Sequence, residues 1–151
     1  ADLMSFSRPG AVLSVCHERL SRFTRLQYLH SKESQPLIDD LVNFLRTLPV
    51  QMTQSMTFDN GTEFTYHADL QEKLGMDTFS CAIKSPWQKG GVENAILRLR
   101  RYLPRKTEIT SLSLQDLVDV QNRYNNTPRK CLGYRTPHEV FCNSQSVALR
   151  A

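Results

Sequence analysis

The sequence predicts a mixed α/β domain: a five-stranded sheet, three antiparallel strands followed by two parallel ones, flanked by helices. Three observations carry this. The chain opens with short segments of strand character separated by turn residues. A segment of clear helical periodicity comes next, and two more strand-like segments then alternate with helical ones before a helical remainder. With 151 residues the chain is the size of one domain, so residues 1–151 are read as a single unit. Hydrophobic residues make up 40% and charged residues 23%, an ordinary globular composition that leaves little room for disorder.

Taken in order, the first strand begins at Asp2 with no run-up, as in an excised fragment, and is expected to extend over residues 2–7. Arg8-Pro9-Gly10 supplies a turn, and residues 11–16 and 23–29 read as two further strands joined through Glu18-Arg19-Leu20-Ser21, completing an antiparallel meander. From Ser34 the period changes. Leu37, Ile38, Leu41, Val42, Phe44, Leu45 and Leu48 recur at helical spacing, with Pro36 in the first turn and Pro49 just past the end. A strand over Ser55–Phe58 runs into Asp59-Asn60-Gly61. A helix over about residues 63–74 stops at Gly75, and residues 77–81 fit a fifth strand.

After Ser85-Pro86-Trp87 comes a loop containing Gly90-Gly91, then a helix over about residues 92–102 limited by Pro104. Leu112, Leu114, Leu117, Val118, Val120 and Tyr124 are expected to line a further helix that stops near Asn125-Asn126-Thr127-Pro128, and residues 137–141 form a last short one. The ribonuclease H fold matches this order of elements, by analogy.

Lys and Arg outnumber Asp and Glu by 19 to 15, giving a formal charge of +4 and a pI near 9.0, which suits a polyanionic partner. Cys16, Cys81, Cys131 and Cys142 lie far apart without CxxC spacing, and no signal peptide or long apolar run is present. A cytosolic, reduced protein without a membrane partner is expected. Cys131, His138 and Cys142 could be zinc ligands but lack an obvious fourth; the plain alternative is buried small hydrophobes.

Three acids are candidates for chemistry. Asp59 follows an apolar strand, where a side chain faces the crevice beyond the sheet's carboxyl edge. Its alternative is structural, because Asp-Asn-Gly is a common turn and Asn60 with Glu63 could form a capping box. Glu93 borders the stripe of Val92, Ile96, Leu99 and Leu103. Its i+3 and i+4 neighbours are apolar, and Arg100, at i+7, lies about 10 Å further along the axis. A solvated surface acid is the other reading of Glu93. Asp2 has the least local support, since an acid beside a chain end is usually exposed; if its strand runs beside the one ending at Asp59, the two carboxylates come within reach. Three gathered carboxylates repel one another unless cations sit among them, and hard oxygen ligands favour Mg²⁺ or Mn²⁺. Two such ions about 4 Å apart activate an attacking oxygen and stabilise a leaving one at a phosphodiester.

Thr57-Phe58-Asp59-Asn60-Gly61-Thr62-Glu63-Phe64 and Ser85-Pro86-Trp87-Gln88-Lys89-Gly90-Gly91-Val92-Glu93-Asn94 resemble the second and third acidic motifs of DDE transposases, and 33 residues separate the two acids. That spacing resembles the bacterial insertion-sequence transposases of the IS30 type. The stretch from Asn125 to Pro137 is similar to their closing motif, and Glu18-Arg19-Leu20-Ser21-Arg22-Phe23 to the turn between their second and third strands. The resemblance implies a ribonuclease-H-like, integrase-type core in which Asp2, Asp59 and Glu93 are catalytic and hold two Mg²⁺ or Mn²⁺ ions when DNA is bound. It implies cleavage at a transposon end by metal-activated water and attack of the freed 3′ hydroxyl on target DNA, in a homo-oligomeric complex at the bacterial nucleoid. Arg100 matches a basic position of the family, and Lys89, Arg98, Arg101 and Lys130 are the other expected DNA contacts, each with a solvated surface cation as its alternative. Trp87 is expected either to stack on a base or to pack in the core. Ala1 and Ala95-Ile96-Leu97 depart from the family pattern, which bears on DNA contacts near the helix start. No N-terminal helix-turn-helix is expected within these residues, which are not expected to find transposon ends alone. The rival readings are a nuclease of the same fold that only hydrolyses, and a non-catalytic DNA-binding or assembly module; three intact acids argue against the second.

Overall fold

The structure is a computed structural model that describes residues 1–7, 12–29, 34–59, 66–82 and 85–148. Strands β1 (Asp2–Met4), β2 (Val12–His17) and β3 (Thr24–Leu29) form an antiparallel ladder in the order β1-β2-β3. The register sets Asp2 opposite Val15 and Met4 opposite Leu13, and pairs all of β2 with β3 from Val12–Leu29 to His17–Thr24. Val12, Leu13, Ser14 and Val15 are buried in succession, because both faces of β2 are covered. Alternation sorts them. Val12 and Leu29 face the side closed by helix α1 (Ser34–Leu45), whereas Leu13, Val15 and Leu26 face the side closed by α3 (Gly90–Leu99) and α4 (Leu114–Asn125).

Strands β4 (Ser55–Phe58) and β5 (Asp77–Ser80) pair in parallel across the crossover helix α2 (Ala68–Leu74). Leu37, Ile38, Leu41, Val42 and Leu45 of α1 are all buried against Phe58, Leu70 and Met76, so the helical period read from the sequence is the packing face. Gly75 ends α2 in the left-handed region at φ 66°, its N–H donating to the Gln71 carbonyl. The five strands therefore form a ladder of three and a ladder of two. The Ala1 nitrogen joins them, donating to the Thr57 carbonyl at 2.6 Å. A cavity of about 830 Å³ opens beside this junction and reaches from Ala1, Thr57 and Lys89 back to Phe44 and Phe141.

Helix α4 differs from expectation in its buried face. Leu117 and Tyr124 are buried, but Leu114 and Val118 are 76% and 44% exposed. Amides serve the inner face instead. Gln121 Oε1 accepts from Leu26 N at 2.8 Å, while the Asn125 side chain accepts from Thr24 N at 2.9 Å and donates to Thr24 O at 2.8 Å, closing the open edge of β3. Ser113 and Asp116 form the capping box that starts the helix. Strand β1 is shorter than expected because Ser7 leaves the sheet and donates to the Arg105 carbonyl at 2.9 Å. Helix α3 starts at Gly90 and ends at Leu99, short of Tyr102, and α5 (Pro137–Ala148) runs well past Phe141. The turn at residues 8–10, the start of α2 at Glu63 and the capping box of Asn60 with Glu63 lie outside the described residues. Among the described residues no helix is long and apolar enough to cross a membrane.

Candidate metal centre

Register and pleat turn each of two acids away from the α1 side of its own ladder. Asp2 lies opposite Val15, which faces the α3 side, so its carboxylate emerges there too. Phe58 is fully buried toward α1, so the next residue, Asp59, turns the other way. Lys89 meets both. Its Nζ lies 3.0 Å from Asp2 Oδ2 and 2.7 Å from Asp59 Oδ2. Asp2 Oδ1 accepts from Leu3 N at 2.8 Å, which orients the carboxylate and leaves Oδ2 to the lysine. Burial alone would depress the Lys89 ammonium, but the hydrogen bonds with Asp59 and Asp2 outweigh it and hold its pKa above the ordinary value.

The backbone carrying Lys89 is pinned from two directions. Arg19 Nη2, in the β2–β3 turn, donates to the Gln88 carbonyl at 3.2 Å, and Gln88 Oε1 accepts from Ala82 N at 2.8 Å. The turn is itself ordered by Glu18, whose carboxylate takes the N–H groups of Leu20 and Ser21 at 2.7 and 2.6 Å and the Ser21 hydroxyl. Gly91 lies over His17 where α3 packs on β2, and a Cβ there would come into ordinary contact with His17 Cδ2 at 3.4 Å. His17 hydrogen-bonds Thr24 Oγ1 at 2.9 Å, and burial, with Arg22 nearby, lowers its pKa to about 4.

Glu93 stands in the first turn of α3, exposed, with its N–H donating to the Lys89 carbonyl at 3.1 Å. Residues at i and i+4 share a helix face, so Glu93 and Lys89 stand one turn apart on the same side. Among the described residues no three His, Cys, Asp or Glu side chains are close enough to hold a metal ion. The structure thus brings Asp2 and Asp59 together around an ammonium and leaves Glu93 a turn away. The donor set fits a divalent ion: two hard carboxylates already share one cation between them.

The expected DNA contacts divide. Arg98 hydrogen-bonds Asn94 within α3 at 3.1 Å and is exposed, as are Arg101 and Lys130. Arg100 is engaged instead: Nη2 donates to the Ser5 carbonyl at 2.6 Å, the guanidinium lies 4.9 Å from the Phe6 ring centroid, and Nη1 is buried without a hydrogen-bond partner. Trp87 is 76% exposed, which removes the core-packing alternative. Cys142 Sγ lies 3.6 Å from His138 Nε2, but among the described residues no zinc-holding set forms, and with Cys131 and Cys142 both exposed the buried-hydrophobe reading does not hold for them. Sequence reasoning placed Lys89 only as a DNA contact and gave His17, Arg19 and Gln88 no role in the centre; their contacts cross the fold and leave no local signal.

The fold matches a solved core. The catalytic core domain of BIV integrase aligns over 97% of this chain and 95% of its own length with a TM-score of 0.71 at 19% identity. A chain of the simian T-cell lymphotropic virus intasome aligns over 91% of this chain and 50% of its own, with a TM-score of 0.68 at 18% identity. The architecture is that of a retroviral integrase core, which is ribonuclease H-like. No protein-family model matches the chain. Sequence relatives are transposases. Transposase InsI of insertion sequence element IS30A from Escherichia coli is 32% identical over 140 residues, which is 93% of this chain. The chain is a homologue of the IS30-type transposases. The transposase of IS4351 from Bacteroides fragilis is likewise 32% identical, over 92% of the chain, and that of IS1086 from Cupriavidus metallidurans 30% identical over 93%. The chain spans 36% of the IS30A transposase, 41% of the IS1086 protein and 43% of the IS4351 protein.

Proposed function

We propose that this IS30-type domain is the catalytic core of a DDE transposase, cutting and joining DNA strands with divalent metal held by Asp2, Asp59 and Glu93. The observation that carries the reading is the Lys89 ammonium shared by Asp2 and Asp59, a cation between two hard carboxylates brought together from separate ladders. Lys89 immediately precedes α3 and Glu93 lies in its first turn, so the third acid is carried four residues from the lysine. Mg²⁺ or Mn²⁺, when bound, would supply activation of an attacking oxygen and stabilisation of the leaving one. The chain supplies the rest. Asp2 is oriented by the Leu3 N–H, Asp59 is fixed at the end of a strand whose other face is buried, and the exposed Arg98, Arg101 and Lys130 are free to neutralise phosphates. Arg100, tied to Ser5, holds α3 to the end of β1, and DNA engages the neighbouring cations. Transposon-end and target DNA are the substrates, in a homo-oligomeric complex in the bacterial cytoplasm, as the transposase and intasome relatives suggest.

The test uses the full-length protein with labelled transposon-end DNA and a target plasmid. Cleaved and joined products are expected with Mg²⁺ or Mn²⁺. Asp59→Asn is expected to lower both by about 1,000-fold, since a metal contribution of several kcal/mol converts to that factor. Cleavage without joined product would overturn the joining step. Mn²⁺ binding that Asp59→Asn does not weaken would overturn the metal assignment.

A further inference from the structure

We propose that Lys89 is a tethered cation that occupies the Asp2–Asp59 metal position in the metal-free domain and must withdraw for a divalent ion to bind. The proposal rests on the assignment of these two acids as metal ligands. Its ground is that the ammonium and the ion require the same oxygens. Nζ lies 3.0 Å from Asp2 Oδ2 and 2.7 Å from Asp59 Oδ2, and an ion bound to those oxygens at about 2.1 Å would sit against the ammonium in a position of direct charge repulsion. The two cations exclude each other.

Burial and charge explain why the lysine is there. The side chains of Lys89 and Asp2 are 14% and 16% exposed against 45% for Asp59, so the pair closes over the inner side of the centre and leaves the Asp59 side open to solvent. The hydrogen bond from Ala1 N to the Thr57 carbonyl holds the start of β1 beside the end of β4, so the two carboxylates lie close together whether or not metal is present. Without a cation they carry two negative charges at short range; Lys89 cancels one of them, and a divalent ion would cancel both. The lysine is therefore a counter-charge for the metal-free fold and a competitor in the metal-bound one.

The surroundings let the side chain move while the backbone stays. Arg19 and Ala82 pin Gln88, so the segment entering α3 keeps its place, and the flexible lysine stem carries the exchange. Glu93 is the natural replacement. It lies on the same helix face one turn on, so when Lys89 swings out the first turn of α3 offers an anion where it had offered a cation. The withdrawn ammonium then stands beside the centre, placed to meet a DNA phosphate.

The experiment measures Mn²⁺ binding by the loss of the free-ion paramagnetic resonance signal, for the unmodified chain, Lys89→Gln, Lys89→Arg and Asp59→Asn. Lys89→Gln is expected to bind Mn²⁺ about tenfold more tightly than the unmodified chain and to melt at a lower temperature in EDTA, a difference that Mn²⁺ closes. Lys89→Arg keeps a cation and is expected to keep the weaker binding. A second measurement needs no variant. Amine acetylation of Lys89, followed by mass spectrometry, is expected to be slow in EDTA and several-fold faster with Mg²⁺, while the other lysines are unchanged. If Asp59→Asn weakens Mn²⁺ binding but Lys89→Gln binds no more tightly and Mg²⁺ leaves Lys89 acetylation unaltered, the metal assignment stands and the tethered-cation proposal is overturned. If neither the unmodified chain nor Lys89→Gln binds Mn²⁺, both fall.

Discussion

Two cations hold the two ends of α3, and they hold them against different acceptors. At the N-terminal end Lys89 reaches two side-chain carboxylates, at 3.0 and 2.7 Å; at the C-terminal end Arg100 reaches a backbone carbonyl at 2.6 Å and an aromatic ring. Carboxylates exchange one cation for another readily, because the attraction is charge on charge and a hydrated ion satisfies it as well as an ammonium. A peptide carbonyl beside a ring face selects the planar guanidinium that stacks on the ring while donating sideways. The helix is thus anchored at the end away from the acids and exchangeable at the end that carries them. Under the proposed metal-dependent function, that asymmetry lets ions enter and leave while the helix stays in place.

The largest expected effect lies at the exchangeable end. Glu93→Gln removes a carboxylate from an exposed helix position, so stability should change by no more than about 0.5 kcal/mol in urea unfolding. Strand cleavage by the full-length protein should nevertheless fall by about 1,000-fold. Equal loss of activity and stability would mean that Glu93 serves the fold, and the contrast between the two ends would disappear.

A smaller effect is expected from the floor beneath that end, where His17 faces Gly91. Burial first, then Arg22 and Arg129, lower its pKa to about 4, against the raising influence of Glu18. In the unfolded chain the same imidazole takes a proton near pH 6.5, so between about 6.5 and 4 the unfolded state binds more protons. Stability therefore falls as pH falls through that window and is fully lost from this source below about 4. The contribution is on the order of 3 kcal/mol. Urea midpoints measured from pH 7 to 4.5 should drop less steeply in His17→Phe than in the unmodified chain, and parallel curves would show that His17 does not couple proton uptake to folding.

Much of this was legible in the sequence, and the boundary follows a physical line. The buried face of α1, the strand Ser55–Phe58 and the stop at Gly75 rest on periodicity and turn chemistry, which are local. Asp59 and Glu93 stood out through their motifs, whereas the nearness of Asp2 to Asp59 was conditional on their strands running side by side, and in the structure the two acids meet across separate ladders through Lys89. The engagement of Lys89 with Asp59 spans 30 residues and that of Arg100 with Ser5 spans 95, so both are products of packing. Helix α4 shows the same limit from another side. Its apolar residues suggested a face through Leu114 and Val118, but the open edge of β3 required hydrogen-bonding amides, and Gln121 and Asn125 turned the helix to supply them. Apolar patterning cannot report a polar demand from a strand that lies elsewhere in the chain.

The smallest expected effect lies at the anchored end. Arg100→Leu removes a charge-assisted hydrogen bond, which contributes about 2 kcal/mol in general, and a partly exposed cation–π contact of about 0.5 kcal/mol. Two features reduce the loss. Ser5 is exposed, so water takes over its carbonyl, and the substitution also removes Nη1, a buried nitrogen with no hydrogen-bond partner. A net destabilisation of about 1 kcal/mol in urea unfolding is expected, with Mn²⁺ affinity unchanged. Arg100→Lys retains the charge but not the flat fork that stacks on Phe6 while donating to Ser5, so it should recover little of the loss. An Arg100→Leu variant that unfolds normally but binds Mn²⁺ differently would show that the far end of α3 is transmitted to the acids, and the helix would then act as a lever between its two cations.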